Sequence, residues 1–199
     1  MSNKDYLLNN DELSLSSDAS VMLMKNELIS KVIKSFSIIA EDYKSIYSKQ
    51  NILNIGHSIQ NPKIARGEQY LGLPYVMLDF PREFSKENIF AIRSMWWWGN
   101  DFSISLHLKG NYHQEAKTFL INSYELLQDY FINNSEDEWD HHIKGNGYIA
   151  VNNISPVEFE NKIINGRFLK LAKSFPINEW NRADELMPAH FKKILMLLH

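Results

Sequence analysis

The stretch Ser94–Leu108, SMWWWGNDFSISLHL, places three consecutive tryptophans directly before a run in which apolar and polar residues alternate. Successive side chains of a β-strand point to opposite faces of the sheet. The alternating run therefore predicts a strand with one apolar face and one polar face. The polar face carries Ser103, Ser105 and His107. Together with the apolar residues that precede Gly99, this strand predicts a central β-hairpin over residues 89–108.

The length of the hairpin loop decides which tryptophans share the polar face, because a shift of one residue exchanges the two faces of a strand. A two-residue loop at Gly99-Asn100 suits a type II′ turn, which takes glycine at its first central position. That register puts Trp96 and Trp98 on the face of His107. A three-residue loop brings Trp97 to that face instead and sends Trp96 and Trp98 to the core. The turn chemistry favours the two-residue loop.

Helical and extended patterns surround the hairpin. Apolar residues recur every three or four positions over residues 20–49, which predicts a long amphipathic helix. Ser155 and Glu158 form the sequence signature of a helix N-terminus, with Pro156 at the first helical position. Further helices are expected over residues 114–132 and 179–198, further strands over 73–80, 147–152 and 168–173, and a loop over 50–72.

The order of these elements predicts an α+β fold. Strands cluster in the middle of the chain and helices lie before and after them. We therefore expect a mostly antiparallel sheet, built on the hairpin 89–108 and covered on one face by helices. Residues 1–17 are polar and acidic and predict a flexible N-terminal tail, and residues 18–199 are expected to form a single domain.

Composition narrows the class of protein. The formal net charge is -3 and the pI is about 6.2, so the chain lacks the basic character of a non-specific nucleic-acid binder. It contains no cysteine, which excludes disulfides, cysteine catalysis and thiolate metal sites. No segment has the pattern of a signal peptide or a transmembrane helix, so no membrane partner is expected and the cytoplasm is the predicted location.

The polar face of the hairpin is the predicted functional surface. A tryptophan there can form the floor of a small-molecule pocket, or it can pack under a loop as a second, smaller core. The pocket interpretation makes His107 the acid or base of any reaction, with Asp79 fixing its tautomer. The expected ligand contacts are Trp96, Trp98, Ser103, Ser105, Tyr75 and Arg82. No motif identifies a cofactor, a substrate or a reaction type.

Two other functions fit the same sequence. Exposed aromatic residues also anchor protein interfaces, so an interaction module or a homodimer without catalytic activity is the first alternative. The second alternative is a metal site, since Glu138 and His141 have the Glu-x-x-His spacing and His142 follows directly. The chain offers no second pair of this kind, so the motif is also consistent with a solvated turn.

Overall fold

A computed structural model describes residues 5–49 and 60–198 of the chain. Five α-helices and seven β-strands lie within these residues. The helices are α1 (Asn10–Ser17), α2 (Ala19–Tyr47), α3 (Asn111–Asn122), α4 (Pro156–Asn165) and α5 (Ala183–Met196). The strands are β1 (Lys63–Tyr70), β2 (Leu73–Phe84), β3 (Ile89–Trp97), β4 (Asp101–Lys109), β5 (Phe131–Asn133), β6 (Tyr148–Ala150) and β7 (Phe168–Pro176). Short 3₁₀ turns occupy Tyr124–Leu127, Val151–Asn153 and Ile177–Arg182.

All seven strands belong to one sheet, and their order across it is β1-β2-β3-β4-β7-β5-β6. Each pairing between neighbouring strands is antiparallel. The predicted α+β class is therefore confirmed, with β3 and β4 forming the expected hairpin at the centre of the antiparallel sheet. Since β4 has a partner strand on each side, its backbone is held along its whole length.

Alternate strand residues and the helices share one main hydrophobic core. On β4 this core takes the predicted apolar face, and all four side chains are fully buried: Phe102, Ile104, Leu106 and Leu108. Helices α2, α3, α4 and α5 contribute buried side chains to the same cluster, among them Phe36, Leu120, Phe159 and Phe191. The amphipathic helix predicted over residues 20–49 is confirmed as α2, whose stripe is buried from Ile29 to Tyr43.

The hairpin has the three-residue loop, and the favoured two-residue register is wrong. Trp96 pairs with Phe102, which leaves residues 98–100 as the loop. Gly99 has a φ of +70°, a conformation that glycine adopts readily in loops of either length. Turn chemistry alone therefore does not separate the two registers. The two registers are distinguished by Trp96, whose large indole is buried in the main core. Trp97 then lies on the polar face of β4.

Several element boundaries differ from the sequence prediction, among them the ends of β2 and α3. Strand β2 does not end before Pro81 but continues to Phe84, because the β2–β3 register shifts between Asp79 and Arg82. A proline, which has no N–H to donate, is tolerated at such an irregularity. The helix expected over residues 114–132 stops ten residues early, since its last part forms a 3₁₀ turn and then strand β5 against β7.

Two segments that were expected to lack regular structure contain an element. Strand β1 lies inside the loop expected over residues 50–72, of which residues 50–59 lie outside the described residues. Helix α1 lies inside the expected N-terminal tail, where Asn9 and Glu12 form a capping box, but none of its residues is buried. The capping box predicted from Ser155 and Glu158 is present at the start of α4. Among the described residues, no helix combines the length and the apolar character needed to cross a membrane.

Replacing Gly99 by alanine tests the loop conformation. An added Cβ would meet no atom within 4 Å, so the substitution changes only the backbone preference. We expect Gly99→Ala to lower the free energy of unfolding by about 1 kcal/mol, and Gly99→Asn to lower it less, because asparagine tolerates the left-handed region. Urea denaturation measures both. Equal stability of the alanine variant and the native protein would contradict the assigned turn.

Candidate functional site

A long connection covers the polar face of the sheet. This covering loop, residues 134–147, joins β5 to β6. It contacts Tyr70 of β1, Arg93 of β3 and Lys170 of β7. Ser103, Ser105 and His107 of β4 are consequently buried. The face that alternation marks as polar is thus the floor of an enclosed polar layer, with the covering loop as its roof.

An ion pair between β2 and β3 anchors this layer. Asp79 and Arg93 lie opposite each other in the sheet register. Arg93 donates from Nε to Asp79 Oδ1 at 2.6 Å and from Nη2 to Asp79 Oδ2 at 2.9 Å. A bidentate pair of this kind fixes the plane of the guanidinium. Its remaining nitrogen, Nη1, donates to His141 Nε2 at 2.8 Å, which ties the covering loop to the sheet.

Lys170 is the second anchor, and only 1% of its surface is exposed. Its Nζ donates to the backbone carbonyls of Glu138, at 3.3 Å, and of Asp140, and lies 3.2 Å from His141 Nδ1. Arg93 is always protonated and uses His141 Nε2 as an acceptor, so a neutral His141 carries its proton on Nδ1. That N–H can donate only to an amine with a lone pair. All these hydrogen bonds are therefore satisfied when Lys170 is neutral.

Electrostatics favours the same protonation states. Burial lowers the pKa of Lys170 to about 7, and the charge of Arg93 acts in the same direction, against the opposing acids of the covering loop. Burial also lowers the pKa of His141 far below its usual range, helped by the charges of Lys170 and Arg93. Above pH 7 the layer therefore contains the Asp79–Arg93 ion pair together with a neutral Lys170 and a neutral His141.

His107 and Glu138 each have one buried atom that finds no hydrogen-bond partner among the described residues. His107 Nε2 and Glu138 Oε2 lie 3.9 Å apart, too far for a direct hydrogen bond. The other carboxylate oxygen, Glu138 Oε1, accepts from Lys109 Nζ at 3.0 Å. Burial, with the nearby positive charges, lowers the pKa of His107 to about 3, so this side chain is neutral at pH 7. An unpartnered buried polar atom costs about 1–3 kcal/mol, so the gap marks a position suited to a further polar group.

A cavity of about 330 Å³ lies beside this gap. Glu138 lines it together with Trp139 and Phe168, whose ring centroids lie 5.7 and 5.9 Å from that of His107. The other walls are Lys109, Glu136, Asp137 and Arg167. The cavity therefore combines an aromatic wall with charged groups of both signs, and three of its lining residues, Glu138, Trp139 and Phe168, lie beside His107.

The predicted acid–base pair is not formed. Strand β3 separates β2 from β4, so Asp79 lies opposite Arg93, whereas His107 lies opposite Ala91. Both carboxylate oxygens of Asp79 bind Arg93. The expectation that Asp79 fixes the tautomer of His107 is therefore corrected, and the carboxylate that approaches His107 is that of Glu138.

The three-residue register also separates the predicted tryptophans from the predicted serines. Ser103 and Ser105 lie beneath the covering loop, around a space that admits no water-sized sphere. Trp96 and Trp98 lie on the opposite side of the sheet, with their rings in edge-to-face contact at 5.7 Å and against the main core. The four residues therefore do not line one pocket, contrary to the expectation from the favoured register.

The remaining predicted ligand contacts lie elsewhere. The Tyr75 ring packs edge-to-face against that of Tyr70, with the ring centroids 6.2 Å apart. Arg82 donates from Nε to the backbone carbonyl of Asn61 at 2.9 Å. Neither side chain lines the cavity beside His107. Of the sequence-predicted site residues, the structure thus brings together His107 and Glu138, which were assigned to two different hypotheses.

The three residues of the metal hypothesis point to different partners. Glu138 binds Lys109, the ring nitrogens of His141 face Arg93 and Lys170, and the His142 ring packs against Trp97. Among residues 5–49 and 60–198, no group of three or more His, Asp or Glu side chains is placed to hold a metal ion. The Glu-x-x-His spacing here serves a different purpose, since it secures the covering loop.

Sequence reasoning missed the two cations that organise the polar layer. Lys170 alternates with Leu169 and Leu171, a pattern typical of a strand with one solvated face. Arg93 occupies a comparable position on β3. No local signal marks Lys170 as buried, because the covering loop, and not its position in the strand, removes it from water.

In comparisons with known proteins, the chain matches no family model, no curated protein and no solved structure. Function is therefore inferred from the geometry and the chemistry of the site alone.

The neutral form of Lys170 makes stability increase with pH. An unfolded lysine remains protonated to about pH 10.4, whereas folding favours the neutral amine above about pH 7. Between these values the unfolded chain binds more protons, so the free energy of unfolding increases with pH, by about 1 kcal/mol per unit from this residue. Urea denaturation between about pH 7 and pH 9 measures the slope.

Two variants test whether Lys170 causes this increase of stability with pH. Lys170→Met should reduce the slope, whatever its effect on absolute stability. Lys173→Met, also on β7 but paired with Asp129 at the surface, should retain the native slope. The same slope in all three proteins would show that Lys170 remains protonated in the folded state.

The Asp79–Arg93 pair should contribute far more to stability than exposed pairs do. Asp79→Asn leaves the guanidinium buried without a counter-charge, and we expect the free energy of unfolding to decrease by about 3 kcal/mol or more. As a control, Glu185→Gln removes an exposed partner of Arg182, and we expect the free energy of unfolding to change far less than in Asp79→Asn. Similar small losses in both variants would contradict the role of Asp79 as an anchor.

Proposed function

We propose that the protein binds a small organic amine in the cavity beside His107, with the ammonium group placed between His107 and Glu138. The observation that carries the proposal is the pair of buried, unpartnered atoms, His107 Nε2 and Glu138 Oε2, 3.9 Å apart. A single nitrogen about 2.9 Å from each atom closes this gap with two hydrogen bonds.

The chemistry of the two atoms favours a donor with at least two hydrogens. Glu138 Oε2 is an acceptor when the carboxylate is ionised, and neutral His107 accepts at Nε2 when its proton is on Nδ1. A primary ammonium supplies three N–H groups and a positive charge, so one of its hydrogen bonds is charge-assisted at the carboxylate. A hydroxyl group supplies one donor and can satisfy only one of the two acceptors.

The walls of the cavity support an organic cation. Its acids are Glu136, Asp137 and Glu138, and its bases are Lys109 and Arg167, which leaves a net charge of -1 at neutral pH. Trp139 and Phe168 provide aromatic surface for the apolar part of the ligand, and an indole face also attracts a cation. The volume of about 330 Å³ is at the small end of the range for ligand pockets.

Benzylammonium is a suitable first probe because it joins one primary ammonium to one aromatic ring. We expect it to raise the melting temperature of the protein and to bind saturably in calorimetry, whereas neutral benzyl alcohol should bind at least about tenfold more weakly. Glu138→Gln should weaken benzylammonium binding by a similar factor. The matched control is Glu160→Gln, which removes an exposed carboxylate in the middle of α4 and should leave binding unchanged.

Three results would contradict the proposed function. Equal binding of the ammonium and the alcohol would show that the gap does not select for charge or for donor number. Binding of benzylammonium with unchanged affinity to Glu138→Gln would place the cation elsewhere on the protein. Absence of any saturable binding to the native protein would mean that the gap holds water rather than an amine.

A further inference from the structure

The N-terminal part of the chain projects from the body with an uncovered apolar surface. Every residue from Asp5 to Met24, the N-terminal arm, is exposed. Nine of the seventeen exposed large hydrophobic side chains of the described chain lie in these twenty residues. They are Tyr6, Leu7, Leu8, Leu13, Leu15, Val21, Met22, Leu23 and Met24. Such a concentration of exposed apolar side chains is typical of a surface that docks on another molecule.

The arm continues the stripe that α2 uses to bind its own core. Ile29, Val32 and Phe36 of this stripe are buried, and the same helical spacing leads back through Lys25 to Val21. Residues 19–24 belong to the same continuous helix as Val32. All six of these residues are exposed, so the other described residues of the chain leave them largely uncovered.

An apolar cleft lies at the base of the arm. It encloses about 400 Å³ between α2, the central hairpin and the 3₁₀ turn Ile177–Arg182. Its walls are Leu28, Lys31, Val32, Trp96, Ile177, Asn178, Trp180 and Asn181. A neighbouring hollow of about 320 Å³ shares Lys31, Trp180 and Asn181 with it and adds Lys34, Ser35, Ile38 and Asp184. Together the two hollows form a groove with a tryptophan at its centre.

The arm and the groove have opposite charge. The arm contains Asp5, Asp11, Glu12 and Asp18 and no lysine or arginine, which gives it a net charge of -4. The groove contains Lys31 and Lys34 against Asp184. Lys31 pairs with Glu27 of the preceding turn, and Lys34 makes no ion pair with any other described residue. An apolar, acidic segment and an apolar, basic groove therefore occur on the same chain.

We propose that two copies of this chain form a symmetric dimer in which the arm of each copy docks in the Trp180 groove of the other. A two-fold arrangement makes the contact twice with the same residues, as isologous dimers do. It buries the exposed leucines and methionines against Trp96 and Trp180 and brings the acids of the arm near Lys31 and Lys34. This dimer involves the helical side of the sheet and is independent of the cavity beside His107.

Sedimentation equilibrium of the full chain over a wide dilution series tests the proposal. The native protein should have twice the chain mass of 23.3 kDa and dissociate on dilution. Leu23→Glu with Met24→Glu, at two residues that are exposed in one copy, should weaken dimerisation at least about tenfold without changing the circular dichroism spectrum. Lys31→Glu with Lys34→Glu should weaken it by a comparable factor, and Lys192→Glu, on an exposed part of α5, should not.

The same experiment distinguishes the proposed dimer from other ways in which the arm could be covered. A dimer that is weakened by the arm substitutions but not by the groove substitutions would pack arm against arm and would overturn the proposal. A monomer at every concentration would also overturn it. If that monomer bound phosphatidylcholine vesicles through Leu23 and Met24, the arm would be a membrane-surface helix instead.

Discussion

Lys170 lies in the middle of a strand, beneath a loop that removes it from water, so its amine has to find its partners inside the protein. The covering loop supplies them as two backbone carbonyls and the ring of His141. His141 in turn binds Arg93, which is balanced by Asp79. One chain of hydrogen bonds therefore joins β2, β3, β7 and the loop, and its members are satisfied only together.

The register of the central hairpin places this chain of contacts. With a three-residue loop, Arg93 joins the face of His107, and Trp96 leaves it for the core beside the helices. The alternative register would reverse both side chains and would remove the guanidinium that orients His141. The covering loop could not then close in the same way. Closure also brings Glu138 towards His107 and forms the wall of the cavity, so the candidate binding site depends on the same register.

Local patterns in the sequence predict much of the fold but little of the candidate site. The alternation in β4, the stripe of α2 and the capping box at Ser155 each depend on neighbours in the chain, and all three were predicted correctly. The hairpin register depends on where Trp96 is buried, which is a tertiary property. Lys170 and the covering loop were missed because a lysine between leucines is typical of a solvated strand face, and residues 134–147 have no periodicity that would predict a roof.

A crystal structure of the protein soaked with benzylammonium would show where the ammonium group binds. We expect the amine nitrogen within about 3 Å of both His107 Nε2 and Glu138 Oε2, the aromatic ring against Trp139 and Phe168, and the Lys170–His141 contacts unchanged. A well-ordered water alone between His107 and Glu138, with the amine bound elsewhere or absent, would contradict this expectation.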